Sequence, residues 1–104
     1  MLFRRPTLDG IRAGEITLAF RRWERPRARA GGRQRTILGE LAIDSVARVP
    51  RSAITAADAH RAGHASRAEL LRELDARGRA PIWRIELHWA GEDKRIALRE
   101  HAHL

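Results

Sequence analysis

Seven arginines, Arg21, Arg22, Arg25, Arg27, Arg29, Arg33 and Arg35, face a single acid, Glu24, in the run RRWERPRARAGGRQR. The segment therefore nets +6 of the chain's formal +8. A guanidinium carries a fixed fork of donors that matches phosphate and stacks on bases, so the chemistry of such a cluster is the holding of a polyanion. Lys94 is the one lysine among 21 basic residues. A GC-rich coding bias explains Arg in place of Lys, but it does not explain the clustering. Trp23 lies inside the run, where an exposed indole stacks on a base or, equally, a buried one closes the end of a barrel.

Other side chains with chemical potential are sparse. His60 and His64 are four apart, a spacing that puts two imidazoles on one helix face and could hold a metal. No carboxylate completes the set as it does in HExxH, and Gly63 interrupts the helix between them, so both read as solvated histidines. His101 and His103 read as tail residues. Thr17 is read as a strand former rather than a nucleophile. The absence of cysteine excludes disulfide frameworks, thiolate zinc sites and cysteine nucleophiles. The expectation is no cofactor, no metal and no catalytic residue.

The elements that must position these residues are legible in order. At 104 residues the chain suits a single domain, with a core over about 3–99 and a tail at 100–104. Pro6 and Thr7 suit a helix start and Gly14 its C′ position, with Leu8 and Ile11 on the buried edge. From 15 to 22 the alternation puts Ile16, Leu18 and Phe20 on the core face and Thr17, Ala19 and Arg21 opposite. Pro26, Gly31 and Gly32 then make the basic run an exposed loop rather than a strand. A long strand returns over 36–49, with Ile37, Gly39, Leu41 and Ile43 on one face. Its apolar phase slips at Asp44 and Ser45, which predicts a bulge or bend.

Two capping boxes follow, Thr55 with Asp58 and Ser66 with Glu69, opening helices stopped by Gly63 and Gly78. Trp83, Ile85, Leu87 and Trp89 alternate with Arg84, Glu86 and His88, the pattern of a one-sided strand with an aromatic core face. A turn at 90–93 and a last antiparallel strand with Ile96 and Leu98 complete the pattern. The fold expected is α+β: a small, mostly antiparallel sheet closed into a barrel, with two or three flanking helices. Among its core residues are Ile16, Leu18, Phe20, Leu41, Ile43, Trp83, Ile85 and Leu87. No apolar run approaches the roughly 20 residues of a membrane span, and MLFRRPTLDG lacks a signal-peptide apolar region. A soluble, cytoplasmic protein without a membrane partner is expected.

A helix ending in Ala13-Gly14, a strand to Arg21, a long bent strand and then DAHRAGHASRAELL before the closing strands resemble the ASCH domain of the PUA-like superfamily, small β-barrels associated with RNA. The resemblance covers roughly residues 3–99. Its signature has Gly, Lys two positions on, an acidic or hydroxyl residue five on, and Arg seven on. Gly14 and Arg21 match, whereas the second and third positions are Ile16 and Ala19. Some bacterial members are described as amidohydrolases acting on an acylated cytidine through that Lys, that hydroxyl residue and a later Glu. Isoleucine can neither activate a nucleophile nor shuttle a proton. The helix junction, Arg61-Ala62-Gly63-His64, supplies no such Glu.

The leading expectation is a module that binds RNA or single-stranded nucleic acid. In it Arg21, Arg22, Trp23, Arg25, Arg27, Arg29, Arg33 and Arg35 form the interface, with Gly14 and Thr17 at a cleft. One alternative is a small hydrolase acting on a modified nucleoside or RNA, drawing a general base from His60, His64, Glu15 or Glu24. The other is a domain whose basic loop meets an acidic protein surface.

Overall fold

Pro6 and Gly14 bracket the first element as their backbone preferences require. A computed structural model of the chain, which describes residues 1–91, has helix α1 at Arg5–Arg12 with proline in its first turn. Gly14, at φ 78°, lies just past the C-cap Ala13, and the amides of Gly14 and Glu15 donate to Ile11 and Gly10 at 3.1 and 2.9 Å. This Schellman closure satisfies two of the orphan carbonyls at the helix end.

Strand β1 (Leu18–Arg22) begins later than the alternation suggests. Residues 15–17 are instead a crossing segment: the amides of Glu15 and Ile16 donate to Gly10 of α1, and that of Thr17 donates to Arg61 at 3.0 Å. The basic run is not wholly loop either. Strand β2 (Arg33–Arg35) pairs antiparallel with β3 (Glu40–Val49), joined by a turn over 36–39 in which the Thr36 hydroxyl accepts from the amides of Leu38 and Gly39. Ile37 sits at the tip of that turn, 72% exposed, and is no part of a strand face.

After a short 3₁₀ turn (Arg51–Ala53) come α2 (Ala56–Arg61) and α3 (Arg67–Ala76). Thr55 and Asp58 form the full reciprocal capping box. At Ser66 only half of it forms: the hydroxyl accepts from the Glu69 amide, while the Glu69 carboxylate turns to His64. Strand β4 (Ile82–Gly91) takes in residues 90 and 91 of the expected turn at 90–93, the rest of which lies outside the described residues. The expected last strand at Ile96 and Leu98 and the tail histidines lie outside the described residues.

The sheet order is β1-β4-β3-β2, antiparallel throughout. Its four strands make a curled half-barrel with three helices, an α+β fold; closure into a full barrel is not seen among the described residues. Nor is there a single interior. Ala19 pairs with Ile85 and so shares its face, which leaves Leu18 and Phe20 pointing the other way. Leu18, Phe20 and Ile82 pack with Leu70, Leu71 and Leu74 of α3. Ala19, Ile85, Leu87, Leu41 and Ile43 pack with Leu8 and Ile11 of α1. The one-sided β1 expected from alternation is thus buried on both faces, because Ala19 is small enough to be covered without announcing itself as apolar. Trp83 and Trp89 flank the α1-side core and are only partly buried, Trp83 donating its indole N–H to the Trp23 carbonyl at 2.9 Å.

The phase slip in β3 is a bulge. Ile43 pairs with Leu87 and Ser45 with Glu86, leaving Asp44 without an opposite residue. Val46 then pairs with Ile85 and rejoins the face of Leu41 and Ile43.

Candidate nucleic-acid interface

Among the described residues strand β1 is the edge of the sheet, paired to β4 alone, and six consecutive residues from Leu18 to Trp23 line a cleft of ≈ 520 Å³. One wall is the amino-terminal segment and the first turn of α1, from Leu2 to Thr7. The other is the α2–α3 junction at residues 62–64 with the inward face of α3. Five arginines reach it: Arg4, Arg21, Arg22, Arg27 and Arg77. His64, Glu69 and Glu73 share the α3 wall with Arg77, and His64 Nδ1 lies 3.3 Å from Glu69 and 3.6 Å from Glu73.

The two strand arginines diverge into opposite walls. Arg21 donates to the Leu2 carbonyl at 3.1 Å and to Phe20 at 2.9 Å, and its guanidinium stands 5.0 Å from the Phe3 ring centroid. Burial pushes its pKa down, the Arg77 cation adds to that, and Glu73 opposes it. It remains a cation, held at the floor of the cleft. Arg22 turns the other way, donating at 2.8 Å to both the Leu74 and Ala80 carbonyls, with Asp75 at 3.8 Å and its side chain 12% exposed. It fastens the carboxyl end of α3 to the sheet, and its donors are committed to that task. Arg22 is therefore a structural residue rather than a free phosphate contact, which corrects the expectation for it.

Trp23 requires a second correction. It is 8% exposed and belongs to the α1-side core, its amide donating to the Pro81 carbonyl at 3.1 Å. An indole so enclosed offers no face to a base. The chain turns inward at Trp23 because the odd residues of β1 face the α1-side core, and position 23 continues that phase past the strand end.

Beyond Trp23 the loop emerges. Arg25, Arg27 and Arg29 are exposed, and their side chains have no hydrogen-bond or ion-pair partner among the described residues. Arg27 reaches the cleft lining, which joins loop and cleft into one basic surface. Arg33, at 3.3 Å from Glu40, is partly neutralised on the hairpin, and Arg35 sits opposite Glu40 in the β2–β3 register.

Neither residue expected at the cleft besides the arginines lines it. Gly14 is exposed at the end of α1. Thr17 belongs to a separate polar cluster, where its hydroxyl accepts from Arg61 Nε at 3.2 Å. At the centre of that cluster Glu86 accepts from Arg84 Nη1 at 3.0 Å, Ser45 Oγ at 3.2 Å and Arg61 Nη2 at 3.3 Å. The Ser45 hydroxyl and the Arg61 guanidinium hold its carboxyl below the usual range against the opposing pull of burial. A carboxylate clamped in this way is a weak base. His60 is exposed and apart from His64, since Gly63, at φ 86°, ends α2 between them. Among the described residues no group of three His, Cys, Asp or Glu could hold a metal ion, and no helix is long and apolar enough to cross a membrane.

The cleft residues outside the basic run, Arg4, His64, Glu69, Glu73 and Arg77, were not singled out as a site by the sequence pattern. Glu73 and Arg77 form an i,i+4 pair at 3.3 Å. Only the packing of α3 against β1 brings that pair to the cleft. Comparison with known proteins adds no relative to set beside this geometry: no family model, curated protein or solved structure matches the chain.

Proposed function

We propose that this protein binds RNA or single-stranded nucleic acid, the loop arginines gripping phosphates while the adjoining cleft receives part of the strand. The observation that carries the reading is the exposure of the Arg25, Arg27 and Arg29 side chains, without a partner among the described residues, next to a cleft floored by Arg21. Exposed guanidiniums held together on a loop repel one another, and a polyanion relieves that repulsion while releasing its condensed counterions. The cleft volume of ≈ 520 Å³ falls within the range of small-ligand sites, room for a nucleotide-sized unit but not for a duplex. A PUA-like, ASCH-type relationship is part of the same proposal, supported by the order of elements and by Gly14 and Arg21. A cytoplasmic location goes with it.

Hydrolysis at Thr17 is not favoured. The group nearest its hydroxyl is the Arg61 cation, which cannot take a proton, and Ile16 and Ala19 beside it carry no proton chemistry.

The test is the anisotropy of labelled single-stranded RNA and DNA titrated with protein across a series of salt concentrations. Binding that weakens steeply with salt is expected, the logarithm of affinity falling by about 0.7 per engaged phosphate contact on single strands. Absence of binding to any RNA or DNA at low salt would overturn the proposal and leave the acidic-protein reading ahead.

A further inference from the structure

Two helix ends meet one side chain. Both α1 and α2 finish in Schellman closures, α2 through the amides of Gly63 and His64 donating to His60 and Ala59 at 3.0 and 2.9 Å. Ile16 lies between the two. A Cβ built on Gly10 would stand 2.5 Å from Ile16 Cδ1, and one on Gly63 would stand 2.7 Å from the same atom. Real Cβ atoms do not approach so closely, so a side chain at either position would have to displace the end of Ile16. The backbone on either side of that residue reinforces the junction, Ile16 donating to Gly10 at 3.1 Å and Thr17 to Arg61 at 3.0 Å.

These two helix ends carry the two walls of the cleft, α1 through residues 2–7 and the α2–α3 junction through residues 62–64. At the far end of β1 arginine side chains reach the walls, Arg21 to Leu2 and Arg22 to Leu74 and Ala80. We infer that Ile16 is the wedge that fixes the spacing of the cleft walls, and that this spacing admits a single strand while refusing a duplex. The inference about selectivity rests on the nucleic-acid reading above; the inference about the wedge does not. An interior packed to crystal density transmits a lost side chain to its neighbours, so removing the wedge frees α1 to move against the α2–α3 junction. Ile16 is a positioning residue, since it is not among the residues lining the cleft.

Three variants test it: Ile16→Ala, Ile16→Val and the double change Gly10→Ala/Ile16→Ala. In the double variant the new methyl at position 10 occupies space that Ile16 Cγ1 and Cδ1 vacate, leaving Ile16 Cβ at 3.6 Å as its neighbour. The first readout is the ratio of affinities for a labelled single strand and the duplex of the same sequence, at one low salt concentration. Ile16→Ala should lower that ratio by about fivefold or more, and Ile16→Val and the double variant should restore most of it. A merely structural residue would weaken both ligands together and leave the ratio alone. The second readout needs no ligand: amide hydrogen exchange in segments 2–8 and 62–70 should quicken in Ile16→Ala and recover in the double variant. Unchanged exchange in a folded Ile16→Ala protein overturns the wedge. Quickened exchange with an unchanged ratio overturns the selectivity, and wild-type protein that binds neither ligand overturns the nucleic-acid reading while the exchange result still decides the wedge.

Discussion

Arg21 and Arg22 differ from Arg25, Arg27 and Arg29 in what surrounds them, although all five belong to one run of sequence. The strand pair is half-buried and spends its donors on carbonyls of distant segments. The loop triplet is exposed and spends none among the described residues. Between them Trp23 dives into the core. A positive cluster in a sequence is thus a mixture of two populations, one that holds the fold and one that remains available. Only the second can be recruited by a polyanion without cost to stability.

Truncation at the boundary should have the largest effect. Trp23→Ala removes a buried aromatic side chain and should cost roughly 3–5 kcal/mol, a large share of the 5–15 kcal/mol typical of a whole domain. A thermal melt by circular dichroism as high as that of the parent would contradict its burial. Arg22→Ala comes next, at about 2–3 kcal/mol, since two part-buried carbonyls lose a charged donor. Arg22→Lys should recover little, because one ammonium on a flexible stem does not reproduce the two divergent contacts. A denaturant midpoint unmoved in Arg22→Ala would return that residue to the available population.

The loop should show the reverse behaviour. Changing Arg25, Arg27 and Arg29 together to Ala should shift stability by less than about 0.5 kcal/mol. If about four contacts form, the same change should reduce the salt slope of binding from near −3 to near −0.7. A slope unaffected by the triple change would locate the nucleic-acid surface elsewhere. Arg21→Ala bridges the two classes, with a larger loss of affinity than any single loop change.

The smallest effect concerns acid. The Glu86 carboxyl, stabilised as an anion by Ser45 and Arg61, has a folded pKa below its unfolded value. The stability it supplies is complete above the unfolded pKa of about 4.3 and is lost as pH falls through the folded value. Glu86→Gln should therefore flatten the acid limb of the stability curve below about pH 4 and leave loop binding at neutral pH unchanged. An acid limb identical to that of the parent would mean that the cluster contributes nothing through charge.

What the sequence discloses follows how local each signal is. The Thr55–Asp58 capping box, the helix-ending glycines at 14 and 63 and the break at Asp44 involve neighbours within a few positions, and all are present. Strand β2 escaped because three residues, Arg-Gln-Arg, are too few to show a period. The commitment of Arg22 was unreadable for another reason: its partners lie 52 and 58 positions away. Trp23 is ambiguous in a run of charged neighbours, and its burial depends on a strand register that places position 23 over the α1-side core. The cleft depends on the same long-range packing, so of its lining the sequence points to Arg21, Arg22, Trp23 and Arg27 as interface residues and to His64 only as a candidate base.

The bulge at Asp44 has a consequence for how the chain finds its register. A regular antiparallel ladder looks the same after sliding by two residues, since each face keeps its pattern. The β3–β4 pair does not, because Leu41 and Ile43 meet Trp89 and Leu87 with odd positions and Val46 meets Ile85 with an even one. Any slide carries the parity change away from the place where the partner strand accommodates it, and buries polar residues on one side of the break or exposes apolar ones on the other. The β3–β4 pair is therefore self-indexing, with a single alignment in which both halves agree. β4 carries the face so aligned on to β1, where Ile85 meets Ala19 as well as Val46.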